Sequence, residues 1–127
     1  MDLILDTNAL SAYADGVPGA VARIDHAASI AVPVIVLGEY YYGVSHSRHR
    51  AQYERWLERF SGISRLLEIT AETARQYGRI RSALRHAGTP VPSNDVWIAA
   101  LAKQHGLPVM TRDSHFEHVA GLERLSW

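Results

Sequence analysis

The chain has 127 residues, 47% of them hydrophobic and 20% charged, a size and balance that fit one compact domain burying roughly two-thirds of its unfolded surface. It contains no cysteine, which excludes disulfides, thiolate metal sites and cysteine nucleophiles, and agrees with a reducing compartment. Formal net charge is zero but uneven: residues 1–47 carry five acids against one Arg, 48–88 nine Arg against four Glu, and 89–127 three bases against four acids.

No apolar run approaches the roughly 20 residues a membrane helix needs. Asp2 and Asp6 stand where a signal peptide would be basic. The expectation is a cytoplasmic protein without membrane contact. No repeat or linker interrupts the chain, so residues 1–127 read as a single domain.

Leu3-Ile4-Leu5 is a short apolar run that stops at the turn and cap trio Asp6-Thr7-Asn8, so a strand precedes a helix over Ala9 to Ala14. Asp15 to Gly19 is turn chemistry leading to a second helix of about residues 19–27, and Ser29 to Val32 suits a buried strand. From Pro33 the run Val-Ile-Val-Leu-Gly-Glu-Tyr-Tyr-Tyr-Gly is ambiguous: propensity favours a strand, while Pro at a helix start and the length allow a helix.

Arg48 to Phe60 places Tyr53, Trp56, Leu57 and Phe60 on one helical face, and Arg65 to Ile69 reads as a strand. Thr70 begins a helix with Tyr77, Ile80, Ala83, Leu84 and Ala87 on one face and Arg75, Arg79, Arg81 and Arg85 flanking it. Gly88 closes that helix. Ser93 and Asn94 are good caps for an uninterrupted apolar helix, Val96 to Ala102, which must be deeply buried. Leu107 to Thr111 and Leu122 to Leu125 are the last strands. Strands alternating with helices predict an α/β fold, a parallel sheet with helices on both faces.

Four acids occupy positions where this pattern puts burial or a strand end. Asp6 ends the first strand and Asp113 follows the strand through Thr111, on the edge of a parallel sheet where ligands bind. Glu39 is embedded in an apolar, aromatic run with no cation within four residues. Asp95 opens the most apolar helix at its positive end. Taken singly, Asp6, Asp95 and Asp113 are also ordinary cap or turn acids. Taken together, four converging carboxylates repel unless a cation intervenes. All-oxygen ligation, with seven His but no HExxH spacing, points to Mg2+ or Mn2+ rather than zinc, and such clusters act on phosphates.

Leu5-Asp6-Thr7-Asn8, Leu37-Gly38-Glu39-Tyr40 with Gly43, Asn94-Asp95-Val96-Trp97-Ile98-Ala99-Ala100 and Thr111-Arg112-Asp113-Ser114-His115-Phe116 resemble, in order, the four acidic motifs of PIN-domain ribonucleases. The nearest resemblance is to VapC-type toxins of bacterial toxin–antitoxin pairs, and it spans the whole chain. It implies a PIN-like α/β/α sandwich around a parallel sheet and Mg2+- or Mn2+-dependent RNA cleavage. Asp6, Glu39, Asp95 and Asp113 then match the metal-binding catalytic acids, and Thr7, Asn8 and Thr111 the polar residues that support them. It further implies a homodimer and a cognate antitoxin that covers the active-site groove.

Discounting the four candidate ligands leaves the remainder of the chain basic, and Arg75, Arg79, Arg81 and Arg85 have no acid between them. They are candidates for RNA contact, against a solvated helix face. Arg48, Arg50, Arg55 and Arg59 are diluted by Glu54 and Glu58 and read as a solvated face. His115 either orients the loop beside Asp113 or packs with Phe116. Tyr40, Tyr41, Tyr42, Tyr53 and Trp56 exceed what so small a core can wholly hold; core packing is the expectation for Tyr53 and Trp56, and an exposed remainder would be a partner surface.

A receiver domain would need a late strand-end Lys, and the one Lys, Lys103, falls within a helix. A haloacid-dehalogenase-type phosphatase needs Asp-x-Asp where this chain has Asp6-Thr7-Asn8. The alternatives within the resemblance are a PIN ribonuclease of RNA maturation and a catalytically silent PIN-like module that binds RNA or protein.

Overall fold

The computed structural model describes residues 2–127. These form five strands and six α-helices: β1 (Asp2–Leu5), α1 (Thr7–Ala14), α2 (Pro18–Asp25), β2 (Ser29–Pro33), α3 (Val34–Val44), α4 (Arg50–Ser61), β3 (Arg65–Leu67), α5 (Ala71–Ala87), α6 (Ser93–His105), β4 (Val109–Met110) and β5 (Arg124–Leu125). A short 3-10 segment, Ser114–His118, lies between the last two strands.

The strands make one sheet of order β3-β2-β1-β4-β5, and each pairing is parallel. Because parallel crossovers are right-handed, β1 to β2 to β3 carries α1–α4 over one face. The reversal from β3 back to β4 puts α5 and α6 on the other. The expected α/β/α sandwich is what forms. Direction reverses between β1 and β4, whose partners are Ile4 with Val109 and Leu5 with Met110. The chain therefore diverges to opposite faces beyond Leu5 and Met110, which opens a crevice at that edge.

Burial follows the patterning. Ile4, Leu5, Val109 and Met110 are wholly buried, as central parallel strands covered on both faces must be. On α6, Val96 and Ile98 to Leu101 are also wholly buried, and Phe116 seals the core from the 3-10 segment. Gly88 and Gly106, at φ 70° and 65°, end α5 and α6 in the left-handed conformation that glycine adopts without strain.

Residues 34–44 form a helix. Pro33 takes the extended N-cap position (φ −62°, ψ 143°) as the last residue of β2, and packing of α3 on α1, α4 and α6 overrides the β propensity of Val34-Ile35-Val36. Other boundaries differ by a few residues. α1 starts at Thr7 rather than Ala9 because Asp6 is itself its cap. β3 ends at Leu67 rather than Ile69, and α4 begins at Arg50 rather than Arg48. Ser93 and Asn94 lie inside the first turn of α6, after an N-cap at Pro92. On α5 the buried residues are Thr73, Ile80 and Leu84, and Ala83 and Ala87 are exposed. The helix is rolled so that Thr73 faces α6 and donates its hydroxyl hydrogen to Gln104 Oε1.

Candidate active site

Asp6 follows the last residue of β1 and is 4% exposed. Its Oδ1 accepts from the Thr7 amide at 2.8 Å, and its Oδ2 accepts from the Thr111 hydroxyl at 2.7 Å and the Asn8 side-chain amide at 3.3 Å. Thr111, wholly buried just after β4, also accepts at its hydroxyl from the Asp113 amide (2.9 Å) and Asn8 Nδ2 (3.2 Å). Asn8 Oδ1 in turn accepts from the Arg112 amide at 3.2 Å. The two loops that diverge at the reversal of strand order are thus tied through Asp6, Asn8 and Thr111.

The other acids approach from the helices. Thr7 donates its hydroxyl hydrogen to Glu39 Oε1 at 3.0 Å, which fixes the α3 carboxylate beside the start of α1. Asp95 projects from the first turn of α6 with its side chain 14% exposed. Asp113 caps the 3-10 segment, its Oδ1 accepting from the His115 amide at 2.9 Å. His115 Nδ1 stands 3.2 Å from Asp95 Oδ2 and 3.0 Å from Asp113 Oδ1. Asp95, Asp113 and His115 each offer a ligand atom within 4.8 Å of the others.

The electrostatics report the crowding. Burial pushes the Asp6 carboxyl above its ordinary range, and the charges of Glu39 and Asp113 add to that; the bonds from Thr111 and Thr7 oppose it. Asp95 is pushed up to about 6, first by burial and then by Asp6 and Asp113, against the relief that His115 provides. All four predicted acids therefore share one electrostatic field at the C-terminal edge of the sheet. A family model described as PIN domain matches residues 3–122.

The chain belongs to the PIN-domain family. Ribonuclease VapC5 of Mycobacterium tuberculosis is 32% identical over 124 residues, covering 93% of this chain and 87% of that protein. The VapBC2 complex of Rickettsia felis, solved with a fragment of its promoter DNA, matches with a TM-score of 0.89 at 26% identity over 100% of this chain and 99% of that one. DNA-bound VapBC of Salmonella typhimurium matches with a TM-score of 0.89 at 28% identity, over 100% and 98% of the two chains.

The PIN site's donor set suits a hard divalent cation. It is built mainly from carboxylates, with His115 beside two of them, and burial with mutual repulsion raises the Asp6 and Asp95 carboxyls. Thr7, Asn8 and Thr111 hydrogen-bond directly to Asp6 or Glu39. His115, weighed only as a loop or packing residue, joins the acids, while its neighbour Phe116 takes the packing role. The signal for it was spacing: in a turn whose cap is Asp113, residue 115 folds back over the cap.

The arginines stand apart from the acids and differ from one another. Arg75 is paired with Glu72 at 2.9 Å. Arg81 donates to the Tyr77 hydroxyl and, at 3.3 Å, to Ser93 Oγ, two residues before Asp95; Tyr77 itself stacks on Trp97 at 4.0 Å. Arg79 and Arg85 are exposed and have no ion-pair partner among the described residues. In the aromatic cluster Tyr40 is buried, Trp56 stacks on Phe60 at 5.2 Å, and Tyr41 and Tyr42 are 43% and 74% exposed.

Proposed function

We propose that this chain, residues 1–127 acting as a single PIN domain, is a metal-dependent endoribonuclease that hydrolyses RNA phosphodiester bonds as the toxin of a toxin–antitoxin pair. The observation that carries the reading is the joining of Asp6, Glu39, Asp95 and Asp113 at the reversal of strand order, with Asp6 buried and Asp95 pushed up to about 6. Four acids held this way are costly to a protein with no use for them. A catalytically silent module would have no reason to keep all four.

Asp6, Asp95, Asp113 and Glu39 would hold Mg2+ or Mn2+, which when bound supplies neutralising charge for the phosphate and lowers the pKa of a coordinated water. Thr111, Thr7 and Asn8 hold Asp6 and Glu39 at fixed orientations, so that the carboxylates need no reorganisation when charge develops on the phosphate. His115 bridges Asp95 and Asp113 and sets the distance between α6 and the 3-10 segment. Arg79 and Arg85, with Arg75 and Arg81 on the same helix, supply positive charge for the RNA backbone.

The relatives named for VapC and the VapBC complexes support a protein partner of the same kind, a cognate antitoxin, with Tyr41 and Tyr42 as exposed apolar surface for it or for a second copy in a homodimer. An enzyme of this kind acts in the cytoplasm, where its RNA is. No helix among the described residues is long and apolar enough to cross a membrane.

The test is RNA cleavage by the purified chain, freed of copurifying partner, with Mg2+ or Mn2+ and with EDTA, beside Asp95→Asn. Metal-dependent cutting lost in the variant is the expected result. Cutting that survives EDTA, or that the variant retains at the parental rate, overturns the reading.

A further inference from the structure

Among the described residues, one group of three His, Asp or Glu side chains brings a ligand atom from each within 4.8 Å of the others: Asp95, Asp113 and His115. Two features of the chain aim His115 there. Its amide donates to Asp113 Oδ1 at 2.9 Å, which closes the turn, and the next residue, Phe116, is wholly buried and anchors that turn in the core. The imidazole is thereby carried back over the cap towards Asp95 at the start of α6.

His115 Nδ1 lies 3.2 Å from Asp95 Oδ2 and 3.0 Å from Asp113 Oδ1. A ring nitrogen carries at most one hydrogen, so it cannot give a full hydrogen bond to both carboxylates, and Asp113 Oδ1 already accepts from the His115 amide. The spacing is also that of neighbouring ligands on one ion. With bonds of about 2.0–2.2 Å, such atoms lie roughly 2.8–3.6 Å apart, from octahedral to tetrahedral arrangements. A cation there would be met by two carboxylates and a nitrogen. Mg2+ is a hard ion that prefers oxygen and gains little from an imidazole, whereas divalent transition ions accept nitrogen as well.

We propose that His115 is a metal ligand through Nδ1, beside Asp95 and Asp113, and that its nitrogen makes the site favour a first-row transition ion, with Mn2+ as the probe, over Mg2+. This rests on the metal-dependent reading of the acid cluster. The acids attract any divalent cation, and His115 adds the selection. Its side chain is 46% exposed, so water can accept from Nε2–H while Nδ1 gives its lone pair. An imidazole that only offsets the charge of the carboxylates would not discriminate between two ions of equal charge. The ratio of their affinities therefore separates ligation from a purely electrostatic or structural role.

The experiment compares the wild type with His115→Asn, both freed of partner and of metal with EDTA and then dialysed. Asn sets an amide oxygen where Nδ1 stood, so the site keeps an oxygen donor and loses the nitrogen. Calorimetric titration with MnCl2 and with MgCl2 gives the Mn2+/Mg2+ affinity ratio, and electron spin-echo envelope modulation of the Mn2+-loaded chain detects a directly bonded nitrogen. Expected are nitrogen modulation in the wild type and none in His115→Asn, with a fall in the ratio of at least roughly 10-fold, the low end of what removing even an outer partner of a ligand costs. Mg2+ affinity should hold. A wild type that binds Mn2+ without nitrogen modulation, or a ratio unchanged in His115→Asn, overturns the assignment of His115 alone. A wild type that binds neither ion overturns the metal reading of the acids, and this assignment with it.

Discussion

The Thr111 hydroxyl donates to Asp6 Oδ2 at 2.7 Å, joining residues 105 positions apart in the sequence across the ends of neighbouring strands. The same oxygen accepts from the Asp113 amide and from Asn8, so one buried hydroxyl orients the acid at the end of β1 and positions the loop that carries another. Thr111→Val keeps the shape and removes all three bonds. The expected outcome is a loss of roughly 10–100-fold in divalent-metal affinity, the usual cost of deleting a group that orients a ligand. The fold should also lose about 1–3 kcal/mol from the polar groups left unpaired. Calorimetric titration with Mn2+ checks the first; parental affinity would show that Asp6 needs no such support.

The crowding of carboxylates makes stability depend on pH in a defined direction. Burial, with the charges of Asp6 and Asp113, pushes the Asp95 carboxyl up to about 6, above the ordinary aspartate range, so the native protein holds this proton more tightly than the unfolded chain. Stability from this group is therefore greatest below about pH 4, falls as pH rises from about 4 to 6, and stays reduced above that. Asp6 is shifted in the same direction. Asp95→Asn removes the penalty, and at pH 7 the metal-free variant should exceed the parent by up to about 3 kcal/mol. Thermal unfolding of both proteins in EDTA between pH 4 and 7.5 reads the difference. A gap that does not widen as pH rises would mean the Asp95 charge is already compensated within the fold.

What the sequence revealed, and what it hid, divides along physical lines. The strand ends at Asp6 and Thr111 were legible because parallel strands buried on both faces read as short unbroken apolar runs, and acids at their ends break that run conspicuously. Residues 33–44 were not, because Val34-Ile35-Val36 favours a strand locally and only the packing of α3 against three other helices decides otherwise. The exposure of Ala83 and Ala87 was equally hidden. Alanine tolerates either face of a helix, so it does not report the roll that Thr73 and Gln104 impose. Tyr40 and Tyr42 sit in one aromatic run yet are 2% and 74% exposed, a difference set by which side of α3 meets α4. His115 lay in plain view, but only the fold-back of the 3-10 segment brings it to Asp95.

Tyr40 carries a further consequence for stability. Its hydroxyl is buried without a partner, and Tyr40→Phe removes that group while leaving the ring that packs near Trp56, with centroids 6.2 Å apart. In the free protein the substitution should stabilise by about 1 kcal/mol, the lower end of what an unsatisfied buried polar group costs. Chemical denaturation with an unchanged m-value is the measurement. A destabilised Tyr40→Phe would show that the hydroxyl is satisfied, by water or otherwise, in the free protein.

The arginines of α5 separate into two kinds, and salt dependence distinguishes them. Arg75 is already paired with Glu72, which compensates its charge, whereas Arg81 donates only to the neutral hydroxyls of Tyr77 and Ser93, which fix its position and leave its charge uncompensated. Arg79 and Arg85 are exposed on the same helix without an ion-pair partner among the described residues. Each phosphate neutralised on a single strand contributes roughly 0.7 to the slope of log affinity against log salt. Reversing both to Glu should weaken binding of single-stranded RNA and lower the slope by about 1.4. Reversing Arg75 instead should change the slope by less, since its charge is already spent on Glu72. Fluorescence anisotropy from 50 to 300 mM KCl, with Asp95→Asn as the background so that no RNA is cut, gives both slopes. Equal slopes in the parent and the Arg79→Glu, Arg85→Glu protein would return this face of α5 to solvent and move the RNA path elsewhere on the PIN domain.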